Sequence, residues 1–185
     1  MRKPRKAKPA AIFTIGHSTR SLDEFVALLR ANGIHRVLDI RTIPRSRRNP
    51  QFNRETLGPA LRKLRIGYVH LKGLGGLRRA SPDSVNLGWH NASFRGFADY
   101  MQTPEFKAGL ARAMRLAETK STSLMCAEAV PWRCHRSLVA DALTIRGFTV
   151  RDIVSASSPH IHRLTPFARV HGMCITYPSD KPRAR

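Results

Sequence analysis

The strongest constraint in this sequence is an alternation of segment types that begins at residue 11. Ala11 to Gly16 (AIFTIG) is a short apolar run rich in β-formers and ended by glycine, which reads as a buried strand. Ser21-Leu-Asp-Glu24 then forms a capping box, the pattern in which a serine hydroxyl and a glutamate three residues on satisfy the free N–H groups of a helix start. Leu22, Phe25, Val26, Leu28 and Leu29 follow the helical period behind it, and Gly33 closes the helix. Ile34 to Arg41 (IHRVLDIR) reads as a second strand. Strand, helix and strand within about 30 residues make a βαβ unit, whose crossover is right-handed and whose strands are parallel.

The alternation continues. Asn53 to Arg65 is predicted helical, with Gly58 and Pro59 placing its start near Thr56. Gly67 to Leu71 is a third strand, followed by an irregular stretch from Lys72 to about Ala92 that contains Gly73, Gly75, Gly76, Pro82 and Gly88. Such a length suits a lid or binding loop rather than a connection. Phe94 to Met101 and Pro104 to Glu118 read as helices, the second capped by Thr103. Ser123 to Ala127 is a fourth strand, Arg136 to Arg146 a helix closed by Gly147, Phe148 to Val154 a fifth strand, and Gly172 to Tyr177 a short final one. The expectation is a three-layer α/β/α, Rossmann-like domain over residues 10–178, with a mostly parallel sheet of about five strands. At 185 residues the chain is too short for a complete (β/α)₈ barrel, which typically needs ~250. No apolar run approaches the ~20 residues of a membrane span, and the N-terminus lacks the apolar stretch of a secretory signal, so a cytoplasmic protein is expected.

Charge narrows the choice of partners. The formal net charge is +21. Residues 1–9 carry five cations and no acid and, like 179–185, are expected to be disordered tails, having little that is apolar to bury. Between positions 41 and 79 eleven basic residues face a single acid, Glu55. Clustering of this kind is a solvated face or the electrostatic footprint of a polyanion, and it makes Arg45, Arg47, Arg48, Arg54, Arg78 and Arg79 candidate contacts for a nucleotide, DNA or RNA.

In parallel α/β sheets ligands bind beyond the carboxyl ends of strands. Here the first strand runs out into His17 and Ser18, the second into Asp39 and Arg41, and the fourth into Cys126 and Glu128, followed by Arg133, Cys134, His135 and Arg136 at a helix start. Singly, each has a structural explanation: an Asp39–Arg41 ion pair, a turn histidine, a core cysteine, or a turn with positive φ at Gly75-Gly76. Together they suggest a site in which Cys126, Glu128, Cys134, His135 and His17 carry chemistry. Ser18, Asp39, Arg41, Arg133, Arg136, Gly75 and Gly76 would bind an anionic substrate. Cys134, between Arg133 and His135 at a helix N-terminus, suits either a thiolate or an anion clamp, and Glu128 suits a general acid or base.

Three cysteines, an odd and small number, argue against a disulfide framework and fit a reducing compartment. A phosphatase-type loop would need arginine six positions after the cysteine, where Trp132 and Ala140 stand; Cys126 and Cys134 are too far apart for a C-x-x-C pair. The spacing matches no structural zinc pattern, which ranks metal below thiolate or anion binding. Gly73, Gly75 and Gly76 lack the third glycine of a dinucleotide fingerprint, and no cofactor is expected.

The segments TIGHS (14–18), LDIRTIPRS (38–46), YVHLKGLGG (68–76) and LMCAEAVPWRCHR (124–136), with LTPFARVHG (164–172) and TYP (176–178) near the end, resemble the domain of unknown function 488 family over roughly residues 11 to 178. The resemblance implies a bacterial-type α/β domain and supports the site positions without supplying a reaction. Three functions are therefore weighed: an enzyme acting on a phosphate-bearing substrate, a non-catalytic nucleic-acid-binding protein, and a metal-dependent hydrolase.

Overall fold

The computed structural model describes residues 11–179; the expectations for residues 1–9 and for 180–185 lie outside them. The chain alternates as β1 (Ala11–Gly16), α1 (Leu22–Ala31), β2 (Arg36–Asp39), α2 (Arg54–Lys63), β3 (Gly67–His70), α3 (Ala92–Tyr100), α4 (Pro104–Thr119), β4 (Thr122–Cys126), α5 (Arg136–Thr144) and β5 (Thr149–Ile153). The short strands β6 (His160–Ile161), β7 (Arg169–His171) and β8 (Cys174–Thr176) follow. Strands β1 to β5 are parallel in the order β3-β2-β4-β1-β5, and β6 adds an antiparallel edge next to β5. The result is a mostly parallel sheet between two helical layers, a three-layer α/β/α Rossmann-like arrangement.

Strand pleating divides the core. Val37 and Met125 face one side with Phe25, Val26 and Leu29 of α1 and Leu57 and Leu61 of α2. Leu38, Leu124 and Cys126 face the other with Phe97 of α3, Leu110 of α4 and Leu138 of α5. Both faces of the central strands are thus dry, which is why they read as continuous apolar runs.

The expected parallel relation of the first two strands holds, and one local reading, the start of the second helix, needs correction. β1 and β2 are parallel but not neighbours, because β4 lies between them and pairs with both. A βαβ signal in sequence specifies the crossover, and says nothing of a later strand inserted into the gap. Helix α2 begins at Arg54 with Asn53 as its N-cap residue, two residues before the expected start, and carries Pro59 inside it. Proline at the sixth helical position removes one bond, to the carbonyl of the exposed Glu55, where water can replace it. The predicted strand near the C-terminus is β8, which pairs with β7 as a separate two-stranded ribbon.

This topology creates a crevice. The chain leaves β1 and β2 toward α1 and α2 on one face, and leaves β4, between them, toward α5 on the other. Diverging connections of this kind open the space at the strand ends where α/β sheets bind ligands.

Candidate functional site

The crevice is a cavity of about 840 Å³, within the usual size of ligand sites. Its wall includes His17 and Ser18 from the end of β1, Arg41 and Arg45 after β2, Gly76 from the long irregular loop, and Cys126, Glu128, Arg133, Cys134 and His135 from β4 and the turn into α5.

The β1 and β4 ends are held together past the last ladder pair. His17 and Ser18 donate backbone N–H groups to the carbonyls of Cys126 (2.9 Å) and Ala127 (2.8 Å). Gly16 makes this possible: a Cβ there would stand 1.7 Å from the carbonyl oxygen of Glu128. Ser18 takes a φ of 50°, a strained conformation for a non-glycine residue and one that concentrates at functional sites.

Cys126 ends β4, the chain crosses a 3₁₀ turn at Pro131–Arg133, and Cys134 and His135 lead into α5. This return brings Nδ1 of His135 to 3.9 Å from Cys126 Sγ and 3.8 Å from Cys134 Sγ. Nε2 of the same ring faces the carbonyl of Ile40 at 3.1 Å. A carbonyl only accepts, so Nε2 carries the proton and the Nδ1 lone pair is directed at the two sulfurs. The backbone N–H of Arg136 donates to Cys134 Sγ at 3.4 Å. A hydrogen bond from Cys134, stronger in effect than the opposing burial, holds the Cys126 thiol well below the usual range. The same bond, with burial, pushes Cys134 well above that range. Two sulfurs and an imidazole nitrogen within 4.8 Å of one another form a cluster that could coordinate a ligand.

A second group underlies the cavity. Asp39, fully buried, accepts from Arg41 Nε at 2.9 Å and Nη2 at 2.6 Å, from the Arg41 backbone N–H, and from the Tyr68 hydroxyl at 2.6 Å. Arg41 also donates to the Phe52 carbonyl at 2.7 Å and, through Nη1, to His17 Nε2 at 3.2 Å. Because arginine can only donate, His17 Nε2 is the acceptor and its Nδ1 carries the proton, donated to the Ser18 carbonyl at 2.8 Å. Burial, helped by the Arg41 charge, pushes His17 below its ordinary range, and the ring stacks on Phe52. His17 is therefore neutral with its lone pair engaged, so in this arrangement it is not a free base. Nη1 has one further proton, and Arg41 is part of the cavity wall.

Other expected residues lie elsewhere. Arg136, expected to clamp an anion, is fully buried and donates to the carbonyls of Glu128 (3.0 Å) and Ala129 (3.3 Å), so it braces the β4–α5 turn from beneath. Arg78 lies over the Tyr100 ring at 3.6 Å and donates to the Gly75 carbonyl, which removes it from the exposed basic set. Gly75 and Gly76 have no positive φ; they are needed for space, since a Cβ would meet Thr42 Oγ1 at 2.7 Å in one case and His135 Nδ1 at 2.8 Å in the other. Arg45, Arg47, Arg48, Arg54 and Arg79 are exposed, and Arg45 and Arg47 also line a smaller adjoining cavity. Glu128 and Arg133 are exposed on the cavity wall and form no ion pair among the described residues. Tyr68 and Phe52, which fix the Asp39–Arg41–His17 group, carry no signal in sequence beyond their aromatic character.

Among the described residues no helix is long and apolar enough to cross a membrane. No curated protein and no solved structure matches the chain. The family described as domain of unknown function DUF488 matches residues 21–143. This span runs from the capping box of α1 into α5, and takes in both the Asp39–Arg41 pair and the Cys126–Cys134–His135 cluster. With more than half of its length matched, the chain belongs to the DUF488 family.

Proposed function

We propose that the protein is an enzyme acting on a phosphate-bearing substrate, a nucleotide or nucleic acid, in the cavity at the carboxyl edge of the sheet. The observation that carries this reading is the meeting of the Cys126–Cys134–His135 cluster with an open cavity edged by the exposed cations Arg45 and Arg133. The two arginines and the remaining Arg41 proton hold the phosphate, the cluster is the reacting centre, and Glu128 moves the proton. A panel of nucleoside phosphates, cyclic nucleotides and short DNA and RNA strands tests it. Turnover found for the wild type is expected to fall about 10²- to 10⁴-fold in Glu128→Gln and to be lost in Cys126→Ser, while Arg133→Ala raises KM. Turnover that survives both Cys126→Ser and Cys134→Ser would remove the cluster from the reaction.

A second reading, non-catalytic nucleic-acid binding, is favoured by one separate observation: Arg45, Arg47 and Arg48 are exposed together on the loop between β2 and α2. Neutralising all three is expected to weaken binding of DNA or RNA and to reduce the slope of log affinity against log salt by about 2 to 3. Affinity that hardly changes between low and moderate salt would exclude this reading.

A further inference from the structure

We infer that Cys126, Cys134 and His135 are the three protein ligands of a zinc ion whose fourth position opens on the cavity. The donor set is soft, two sulfurs and an imidazole nitrogen, which selects zinc over magnesium or calcium, since those take oxygen ligands. The spacing is close to closure. With zinc–sulfur bonds of about 2.3 Å and zinc–nitrogen bonds of about 2.0 Å, tetrahedral sulfur and nitrogen ligands stand roughly 3.5 Å apart. Nδ1 stands 3.9 and 3.8 Å from the two sulfurs, so each nitrogen–sulfur edge needs to shorten by only a few tenths of an ångström, and all three donor atoms already lie within 4.8 Å of one another.

The surroundings independently fit ligation. A metal-binding histidine donates its other ring N–H to a carbonyl or carboxylate, which fixes the tautomer and aims the lone pair at the ion. His135 does this through Nε2 to the Ile40 carbonyl. Gly76 lies against the ring, where a Cβ would stand 2.8 Å from Nδ1. The Arg136 N–H supports Cys134 Sγ as an outer hydrogen bond does to a ligating thiolate. Two cysteinates and a neutral imidazole also balance the ion's two charges, so the buried cluster becomes neutral when filled.

The site is of the open type. All three ligands line the cavity, and the Glu128 carboxylate, on the same wall, is outside the 4.8 Å group. Three protein ligands with one free position are the arrangement of catalytic rather than structural zinc, and the C-x₇-C-H spacing need not follow the paired spacing of structural sites. The role of the free position in turnover rests on the proposed function; ion binding does not.

The test uses the full chain, reduced and stripped of metal, with cobalt(II) and zinc(II) as the probes. One cobalt per chain is expected, with a thiolate-to-cobalt charge-transfer band and the intense visible bands of tetrahedral geometry, all displaced by zinc. Cys126→Ser and Cys134→Ser are expected to weaken binding by at least the roughly 10- to 100-fold that follows loss of an outer partner, and Cys174→Ser to leave it unchanged. Should the serine variants not fold, alkylation of the wild-type chain decides: zinc is expected to protect Cys126 and Cys134 and to leave the exposed Cys174 reactive. No tetrahedral thiolate spectrum, or equal alkylation of all three cysteines with and without zinc, would overturn the inference. Zinc binding without turnover on any phosphate compound would sustain it and count against the proposed function. Turnover that needs Cys126 in a chain unable to bind zinc would do the reverse.

Discussion

Replacing Asp39 by alanine is expected to destabilise the protein by about 3–5 kcal/mol, the cost of leaving one member of a buried ion pair without its partner. Arg41 is only 6% exposed, and Asp39 accepts from its Nε and Nη2 together. The remaining acceptors of Arg41, the Phe52 carbonyl and His17 Nε2, are neutral and cannot compensate its charge. The Tyr68 hydroxyl, whose proton burial and the Asp39 charge hold firmly, would lose its acceptor as well. Urea unfolding at neutral pH measures the effect as a lower midpoint at unchanged slope. Joint replacement, Asp39→Leu with Arg41→Met, removes the charge together with its partner and is expected to restore most of the stability. The double variant should nevertheless leave His17 without the donor that orients it. A single Asp39→Ala variant within about 1 kcal/mol of wild type would mean that Arg41 finds water or another acceptor, and that this pair does not fix the cavity floor.

What was legible in the sequence was local. β1 begins and ends where its apolar run does, and Ser21 and Glu24 form the box that their spacing indicates. Gly33 and Gly147 take positive φ at helix ends, the conformation for which glycine is favoured. These are contacts within a few residues of chain, and residue type alone decides them. The order of strands is not local. Nothing in Ala11 to Arg41 reports that β4, more than eighty residues later, enters between β1 and β2, because that placement depends on which faces α3 and α4 cover.

The candidate site shows the same division. That chemistry-bearing residues would gather at the strand ends followed from parallel α/β topology, and the cavity wall bears Cys126, Glu128, Arg133, Cys134 and His135 together. Which of them point outward did not follow. Arg136 and Arg133 are both arginines at one helix start, yet one is fully buried beneath carbonyls and the other is exposed. Arg133 ends the 3₁₀ turn and Arg136 opens α5, a difference of backbone setting that composition does not encode. The tautomers of His17 and His135 are further from sequence still. Each is fixed by one distant partner, Arg41 in the first case and the Ile40 carbonyl in the second, and those partners leave one lone pair on a guanidinium and the other facing the two sulfurs.

The second large effect is expected from pH acting on a histidine that the sequence did not mark. His162 has both ring nitrogens on carboxylates, Nε2 on Asp141 at 2.8 Å and Nδ1 on Asp152 at 3.3 Å, so both must donate and the ring is an imidazolium. Burial opposes that charge, but the hydrogen bonds to Asp141 and then Asp152 prevail and raise His162 from 6.5 to about 9. The raised value means that the folded state binds the proton more tightly than the unfolded one. The contribution to stability is therefore complete below pH 6.5, declines between 6.5 and about 9, and is gone above that. Its size is on the order of 3 kcal/mol. Asp141 also accepts from the Thr165 backbone N–H and hydroxyl and from the Tyr177 hydroxyl, so loss of the charge loosens the hold of α5 on the segment from His160 to Tyr177. Urea unfolding of the wild type and of His162→Gln across this range isolates the effect from other titrations. The gap between them is expected to be widest near pH 6 and to close by about pH 9.5, with proteolysis of residues 154–178 in the wild type accelerating over the same interval. A gap that stays constant with pH would mean that the folded protein holds His162 neutral and that one of its carboxylates keeps a proton instead.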